Sequence, residues 1–430
     1  MAHINHIRML DHMKRLSIED AIDHSFHTNF AAFCGSPYQR NRIGMYETSA
    51  FCGNIGIVLL HNDPQIDLTL QQIYELRPDL TRHSSNFRMV IANQTNYNNS
   101  IESYYDPFYG LGETAILDAL APIRPDMRST GEVQLLRSIL SDYLSIMDYQ
   151  FRKFSNDRSN PSPFGDYPYN LDLLLELTRM PYQTLFNSVL KFLPSGLRDE
   201  LAGRLSAEGS QSKAYYAVFS FASVLRSFLW TERGFAQHSR ISIISEVRNR
   251  NLISIRIADP KADILDYIAL ELQQLNNAQT PYLLLESGID LNNSPKLKRF
   301  FLADHGMLPY YTGILADNIS SVISQNDNNS ELSELFSQTQ EIFVFSCSSI
   351  MAAQPFSDGI GNYYRQLEDQ HTDYHHGPFQ FFGSHSYGNV QREVAQRTIN
   401  PEELTSLGTG CLLCGRNYPI PVLVDRFQID

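Results

Sequence analysis

Apolar runs of strand length recur toward both ends of the chain, while apolar positions in the middle recur at helical spacing. Phe30-Ala31-Ala32-Phe33-Cys34 is a continuous apolar run stopped by Gly35, the pattern of a strand buried on both faces. A turn from Gly35 to Arg42 leads into a helix. A second run, Ile55-Gly56-Ile57-Val58-Leu59-Leu60, ends at His61-Asn62-Asp63. Leu68 to Leu76 has helical spacing, and Phe87 to Ala92 reads as a third strand. Asn93 to Ser100 is an Asn-rich loop, closed by Tyr105-Asp106-Pro107-Phe108. Ahead of all these, Ile7, Met9, Leu10, Met13 and Leu16 have the spacing of a short amphipathic helix.

From about Gly112 to Gln237 the strand signal vanishes. Ala115 to Leu120 opens a helical block that continues through Val133–Phe151, Asn170–Leu177, Pro181–Leu193 and Ala214–Trp230. Ser155 to Pro168 interrupts it with a loop rich in Ser, Asn, Pro and Gly. Strand periodicity returns at Leu252–Ile257. Helix Lys261–Leu275, strand Pro281–Leu285, helix Ser294–Leu302, strand Tyr311–Ala316, helix Ser330–Phe336 and strand Ile342–Phe345 follow. Alternation of this kind specifies an α/β fold, a mainly parallel sheet with helices on both faces. The expected division is an N-terminal segment (1–28), a first α/β part (29–111), an inserted all-helical domain (112–239) and a second α/β part with a C-terminal hairpin (240–430).

Composition narrows the class. The chain has 430 residues and a formal net charge of -13, from 34 Lys+Arg against 47 Asp+Glu. That balance argues against bulk-charge binding to nucleic acid. Five cysteines are too few for a disulfide scaffold and suit a reducing cytosol. The N-terminus has no apolar h-region, and no apolar run reaches the ~18 residues of a membrane span. A cytoplasmic protein is expected, held at a membrane only through partners.

Candidate chemistry concentrates after the first strand. Strand, Gly-led turn, helix, strand is the layout of a phosphate-binding P-loop, whose pattern is G-x-x-x-x-G-K-[ST]. Gly35 supplies the first glycine. Arg40 stands at the second glycine, Asn41 at the lysine and Arg42 at the hydroxyl residue. Tyr282-Leu283-Leu284-Leu285-Glu286-Ser287 sits where a Walker B strand would, with one carboxylate, Glu286, where two are needed for Mg²⁺ and for water. A buried strand with a polar end explains it equally well. Asn318 follows the next strand at a place suited to sensing a γ-phosphate. Cys411 and Cys414 have metal-like spacing, but they lack a second pair and face opposite ways on a strand, so apolar packing is the better reading. Asp369, His371, Asp373, His375 and His376 share what reads as a solvated polar loop. No metal site is expected.

The C-terminal stretch from Arg397 through Asn400-Pro401-Glu402-Glu403-Leu404 and Leu407-Gly408 to Cys411-Leu412-Leu413-Cys414-Gly415 and Pro419–Val424 reads as a capped short helix, a Gly turn and a β-hairpin. It resembles the end of the HerA–FtsK superfamily of DNA and protein pumps. Tyr105-Asp106-Pro107-Phe108 is similar to a segment of type IV secretion coupling ATPases, which also carry an inserted all-helical domain. Phe379 to Ser386 lies where another of their segments precedes the final helix. The resemblance spans roughly residues 26 to 427 in segment order. It implies a RecA/P-loop-like core and partners within a secretion or conjugation complex, a true ATPase or a secretion substrate among them. Gly35, with the departures at Arg40, Asn41, Arg42 and Glu286, implies a degenerate nucleotide site, no cofactor and an adaptor role by protein docking. The alternative is an active DNA or protein translocating ATPase with an unorthodox site. A small-molecule enzyme on a generic α/β fold finds no supporting constellation. Neither Asn41 nor Glu286 is expected to fill a core position, and truncation at Pro401 is expected to be severe.

Overall fold

The computed structural model describes residues 13–17, 21, 28–52, 54–63, 65–67, 89–92, 103–105, 109–120, 130–155, 167–169, 171–208, 239–257, 262–302, 308–324, 328–375 and 384–424. The expected helices at Leu68–Leu76 and Ala214–Trp230, the Asn93–Ser100 loop, Asp106–Phe108, Phe379–Gly383, His376 and most of the Ser155–Pro168 loop lie outside these residues.

The strands are β1 (Arg15–Leu16), β2 (Phe30–Phe33), β3 (Gly56–His61), β4 (Met89–Ala92), β5 (Ser103–Tyr105), β6 (Ser239–Ile241), β7 (Leu252–Arg256), β8 (Tyr282–Ser287), β9 (Tyr310–Ala316), β10 (Glu341–Val344), β11 (Asn362–His375), β12 (Ser384–Arg397), β13 (Cys411–Gly415) and β14 (Tyr418–Val424). The helices are α1 (Pro37–Phe51), α2 (Glu113–Leu120), α3 (Thr130–Ser155), α4 (Leu171–Arg179), α5 (Tyr182–Ser188), α6 (Ser195–Glu208), α7 (Ile243–Arg248), α8 (Ala262–Asn277), α9 (Pro295–Leu302), α10 (Asn328–Gln338), α11 (Ile350–Ile360) and α12 (Pro401–Leu404).

Ten strands form one sheet in the order β1-β14-β13-β10-β2-β9-β8-β3-β7-β4. From β10 to β4 every neighbouring pair is parallel. Only β13 runs against its neighbours, through the hairpin with β14 and the pairing with β10. The four residues of β2, the six of β3 and the six of β8 are all buried. A central parallel strand covered on both faces has no solvent side to keep polar, which explains the unbroken apolar runs in the sequence. Within the core the spatial order β10-β2-β9-β8-β3 places the later strands on both sides of β2. The chain leaves β2 for β3 on one side and finally returns to β10 on the other. That reversal makes the carboxyl ends of β2 and β10 a topological switch point, the place where ligands bind in open α/β sheets.

Two expectations need correction. Leu16 is not helical: it pairs with Val424, so that β1 covers the backbone edge of β14. Asp369 to His375 is not a loop but part of β11, which pairs with β12 over fourteen registered positions. That hairpin lacks a period-two apolar face, so its sequence carries no strand signal; the backbone ladder alone defines it.

Candidate functional site

The turn after β2 is shorter than the P-loop pattern supposes. Cys34, Gly35 and Ser36 form all of it, and α1 begins at Pro37. Ser36 caps the helix: Gln39 N donates to Ser36 Oγ at 3.2 Å, while Ser36 N donates back to Gln39 Oε1 at 2.8 Å. Pro at the first helical position has no N–H to offer. Arg40 N donates to Ser36 O at 3.2 Å, and Gly35 N to Ser346 O at 3.4 Å. The amides that would cradle a phosphate in a P-loop are therefore engaged within the protein. Gly35 has φ +63, and a Cβ there would lie 2.6 Å from Phe345 Cβ, so a side chain has neither the conformation nor the space.

Arg40 closes the turn from inside. Its Nη1 donates to the carbonyls of Cys34 (2.8 Å) and Gly35 (2.9 Å). Its Nη2 pairs with Asp317, just beyond β9. The arginine side chain is 6% exposed and its aspartate partner 77%. Burial weakens the guanidinium's hold on its proton, and Asp317, Cys34 and Glu286 oppose that effect. Arg42 points elsewhere. It donates to the Tyr38 hydroxyl and stacks over the ring at 5.2 Å, near the surface. Asn41 is buried, and its Oδ1 accepts from Ser287 Oγ at 3.3 Å.

That last contact brings the turn beside the end of β8, as the P-loop reading requires. Glu286 is wholly buried, with Oε2 accepting from Ile289 N at 3.1 Å. Burial pushes its carboxyl up to about 8, against the opposing pull of the Ile289 and Leu315 backbone and of Arg40. At neutral pH, with no metal cation beside it, the carboxyl is mostly protonated. The expectation that Asn41 and Glu286 avoid core positions is thus wrong. Strand alternation is no guide to exposure where both faces are covered. Asn318 caps the short turn at Ile319–Ser321 through Ser320 N, at 3.2 Å.

Sequence reasoning missed three features. Asp317, which no sequence pattern singles out, is the acidic partner of Arg40. His61, at the end of β3, lies 3.3 Å from Asp67, which also accepts from Ser254 Oγ at 2.5 Å; all three are buried. The serine contacts the aspartate rather than the histidine, so this is no nucleophile–base pair. Cys34 and Cys347 meet with their Sγ atoms 3.3 Å apart. Cys411 and Cys414 are each buried in β13. Among the described residues no group of three or more His, Cys, Asp or Glu is placed to hold a metal ion. No helix of the described residues is long and apolar enough to cross a membrane.

No protein-family model matches the chain, and no curated protein matches it in sequence. Solved structures do. A bacterial conjugative coupling protein, TrwBdeltaN70 in complex with sulphate, superposes with a TM-score of 0.52 at 11% identity, covering 97% of this chain and 94% of that one. The plasmid coupling protein TrwB in complex with a non-hydrolysable GTP analogue gives 0.45 at 11% identity over 97% and 94%. VirB4 of Thermoanaerobacter pseudethanolicus gives 0.44 at 8% identity over 94% and 89%. The ten-stranded, mostly parallel sheet with its covering helices is a RecA/P-loop-like α/β fold, similar to that of a bacterial conjugative coupling protein along almost the whole of both chains.

Proposed function

We propose that this chain is a non-catalytic, ATPase-like structural or adaptor subunit of a bacterial type IV secretion or conjugation coupling complex. It acts by docking to other subunits, a true ATPase or a secretion substrate, from the cytoplasmic side. The observation that carries this reading is Arg40. A P-loop keeps its glycine turn open so that backbone amides and a lysine can hold the β- and γ-phosphates. Here the guanidinium binds the turn's carbonyls, α1 starts early, and the helix caps itself. The single carboxyl of Glu286 supports the same reading, because phosphoryl transfer needs both a metal ligand and a positioned base at that place, and Ser287 follows it.

The second reading, an active translocase, rests on the position of Glu286 at the end of the strand that carries the acidic pair in motors. The two readings separate in a partner-capture experiment from the native host with wild type and with the double variant Asn41→Ala, Glu286→Gln. The adaptor reading expects the same partners, in the same amounts, with or without Mg-ATP. A double variant that melts like wild type yet loses transfer would establish that the site is chemical.

A further inference from the structure

All five cysteines are free and buried, but they are not equivalent. Cys411 and Cys414 lie three apart on one extended strand and point to opposite faces. Cys52 Sγ donates to Thr48 O at 3.3 Å. Cys34 and Cys347, 313 residues apart in sequence, are in direct contact at 3.3 Å. They sit in the turns after β2 and β10, two adjacent parallel strands. The backbone holds each thiol in place. Cys34 N donates to Ala316 O at 3.2 Å, and its carbonyl accepts from Arg40 at 2.8 Å. Cys347 N donates to Leu404 O at 3.0 Å. Cys34 has φ 62, a left-handed conformation that a non-glycine residue adopts only where surroundings impose it. Packing alone would leave two small apolar side chains at any convenient contact. Here an unfavourable backbone conformation is held on both sides so that one sulfur faces the other.

We propose that Cys34 and Cys347 are a reversible dithiol–disulfide switch, driven by exchange with small-molecule disulfides, that ties the turn after β2 to the turn after β10. In the first step the Cys34 thiolate attacks one sulfur of the small disulfide and displaces one small thiolate. Cys347 then loses its proton and attacks Cys34 Sγ, displacing the second. The two protein thiols give up two electrons, the small disulfide is reduced to two thiols, and the two protons end on those thiols. The order of attack follows from the surroundings of the pair: the contact between the two sulfurs and the charge of Arg40, whose guanidinium reaches the Cys34 carbonyl at 2.8 Å, favour the Cys34 thiolate against burial, while the contact and burial hold Cys347 up. The tie fixes the amino ends of α1 and α11, where Tyr38, Ile350 and Met351 are exposed, so redox state sets the rigidity of that edge.

The test uses the folded wild-type chain, equilibrated over a range of oxidised-to-reduced glutathione ratios, acid-quenched, denatured, alkylated and peptide-mapped. The expected result is loss of alkylation at Cys34 and Cys347 together, a mass about 2 Da lower than the reduced protein, and reversal by dithiothreitol. The oxidised form should also melt at a higher temperature than the reduced form. Cys347→Ser should stop at a single glutathione adduct on Cys34, and Cys34→Ser should take none. The proposal is overturned if all five thiols stay alkylatable at every ratio, or if the oxidised pair maps to other cysteines. Mapping of the wild-type chain decides this even where a variant does not fold.

Discussion

Arg40 braces the turn after β2 by donating to its carbonyls, the opposite of a phosphate in a P-loop, which accepts from backbone amides. Removing it leaves the carbonyls of Cys34 and Gly35 without that donor, the first of them buried. Hydrogen bonds to charged groups contribute about 1.5–3 kcal/mol, so Arg40→Ala should lower stability by roughly that amount in urea titration. An unchanged midpoint would mean that the turn does not depend on the guanidinium. Glu286 makes a separate prediction through pH. Its carboxyl is raised from 4.5 to about 8, so between those values the folded state holds a proton that the unfolded state has released. Stability contributed by this group is complete below about 4.5 and falls as pH rises through 8, by an amount on the order of a few kcal/mol. Glu341, raised to about 7 by burial, adds a loss of the same sign. The Glu286→Gln variant isolates one from the other. Its melting temperature should gain on wild type steadily from pH 5 to pH 8 (roughly the window of the shift), and a constant difference across that range would refute the assignment.

At the scale of elements, the C-terminal hairpin is part of the core rather than an appendage. Leu404, Leu412, Leu413, Val422 and Val424 are buried, and β13 completes the ladder of β10. At ~1.5–3 kcal/mol for each large buried side chain, truncation before Pro401 removes stabilisation comparable with a typical total of ~5–15 kcal/mol. The truncated chain should be insoluble or lack a cooperative transition in circular dichroism; a cooperative melt would show that the hairpin contributes little. The β11–β12 hairpin is the opposite case. Its strands pair only with each other, and Thr398 N donates to Gly361 O across its base at 3.1 Å. Replacing residues 362–397 by a short Gly/Ser linker should leave the melting temperature within a few degrees of wild type. A collapse in stability would reveal a packing role. The contrast also explains what the sequence made legible. Runs such as Phe30–Phe33 and Tyr282–Ser287 announce central strands, because burial on both faces demands unbroken apolar residues. Asn362–His375 makes no such demand, and its Asp369–His375 part reads as a loop. At the candidate site the positions of Gly35, Asn41 and Glu286 were legible from strand order. The Arg40–Asp317 pair and the Cys34–Cys347 contact were not, because each joins residues about 300 positions apart through the parallel topology.

For the whole molecule, a RecA/P-loop-like fold surrounds a turn whose backbone is engaged by its own cap and by Arg40, beside a buried Glu286 whose Oε1 has no hydrogen-bond partner among the described residues. A net charge of -13 gives no general attraction for a polyanion such as ATP or nucleic acid. On the proposed reading, function lies on surfaces rather than at the turn after β2. Isothermal titration of the folded chain with Mg-ATP, paired with a steady-state phosphate-release assay, is its most direct test. It predicts no heat of binding up to millimolar nucleotide and no phosphate release above the background of the Glu286→Gln variant. Micromolar binding, or phosphate release that Glu286→Gln abolishes, would contradict it and make the chain a motor.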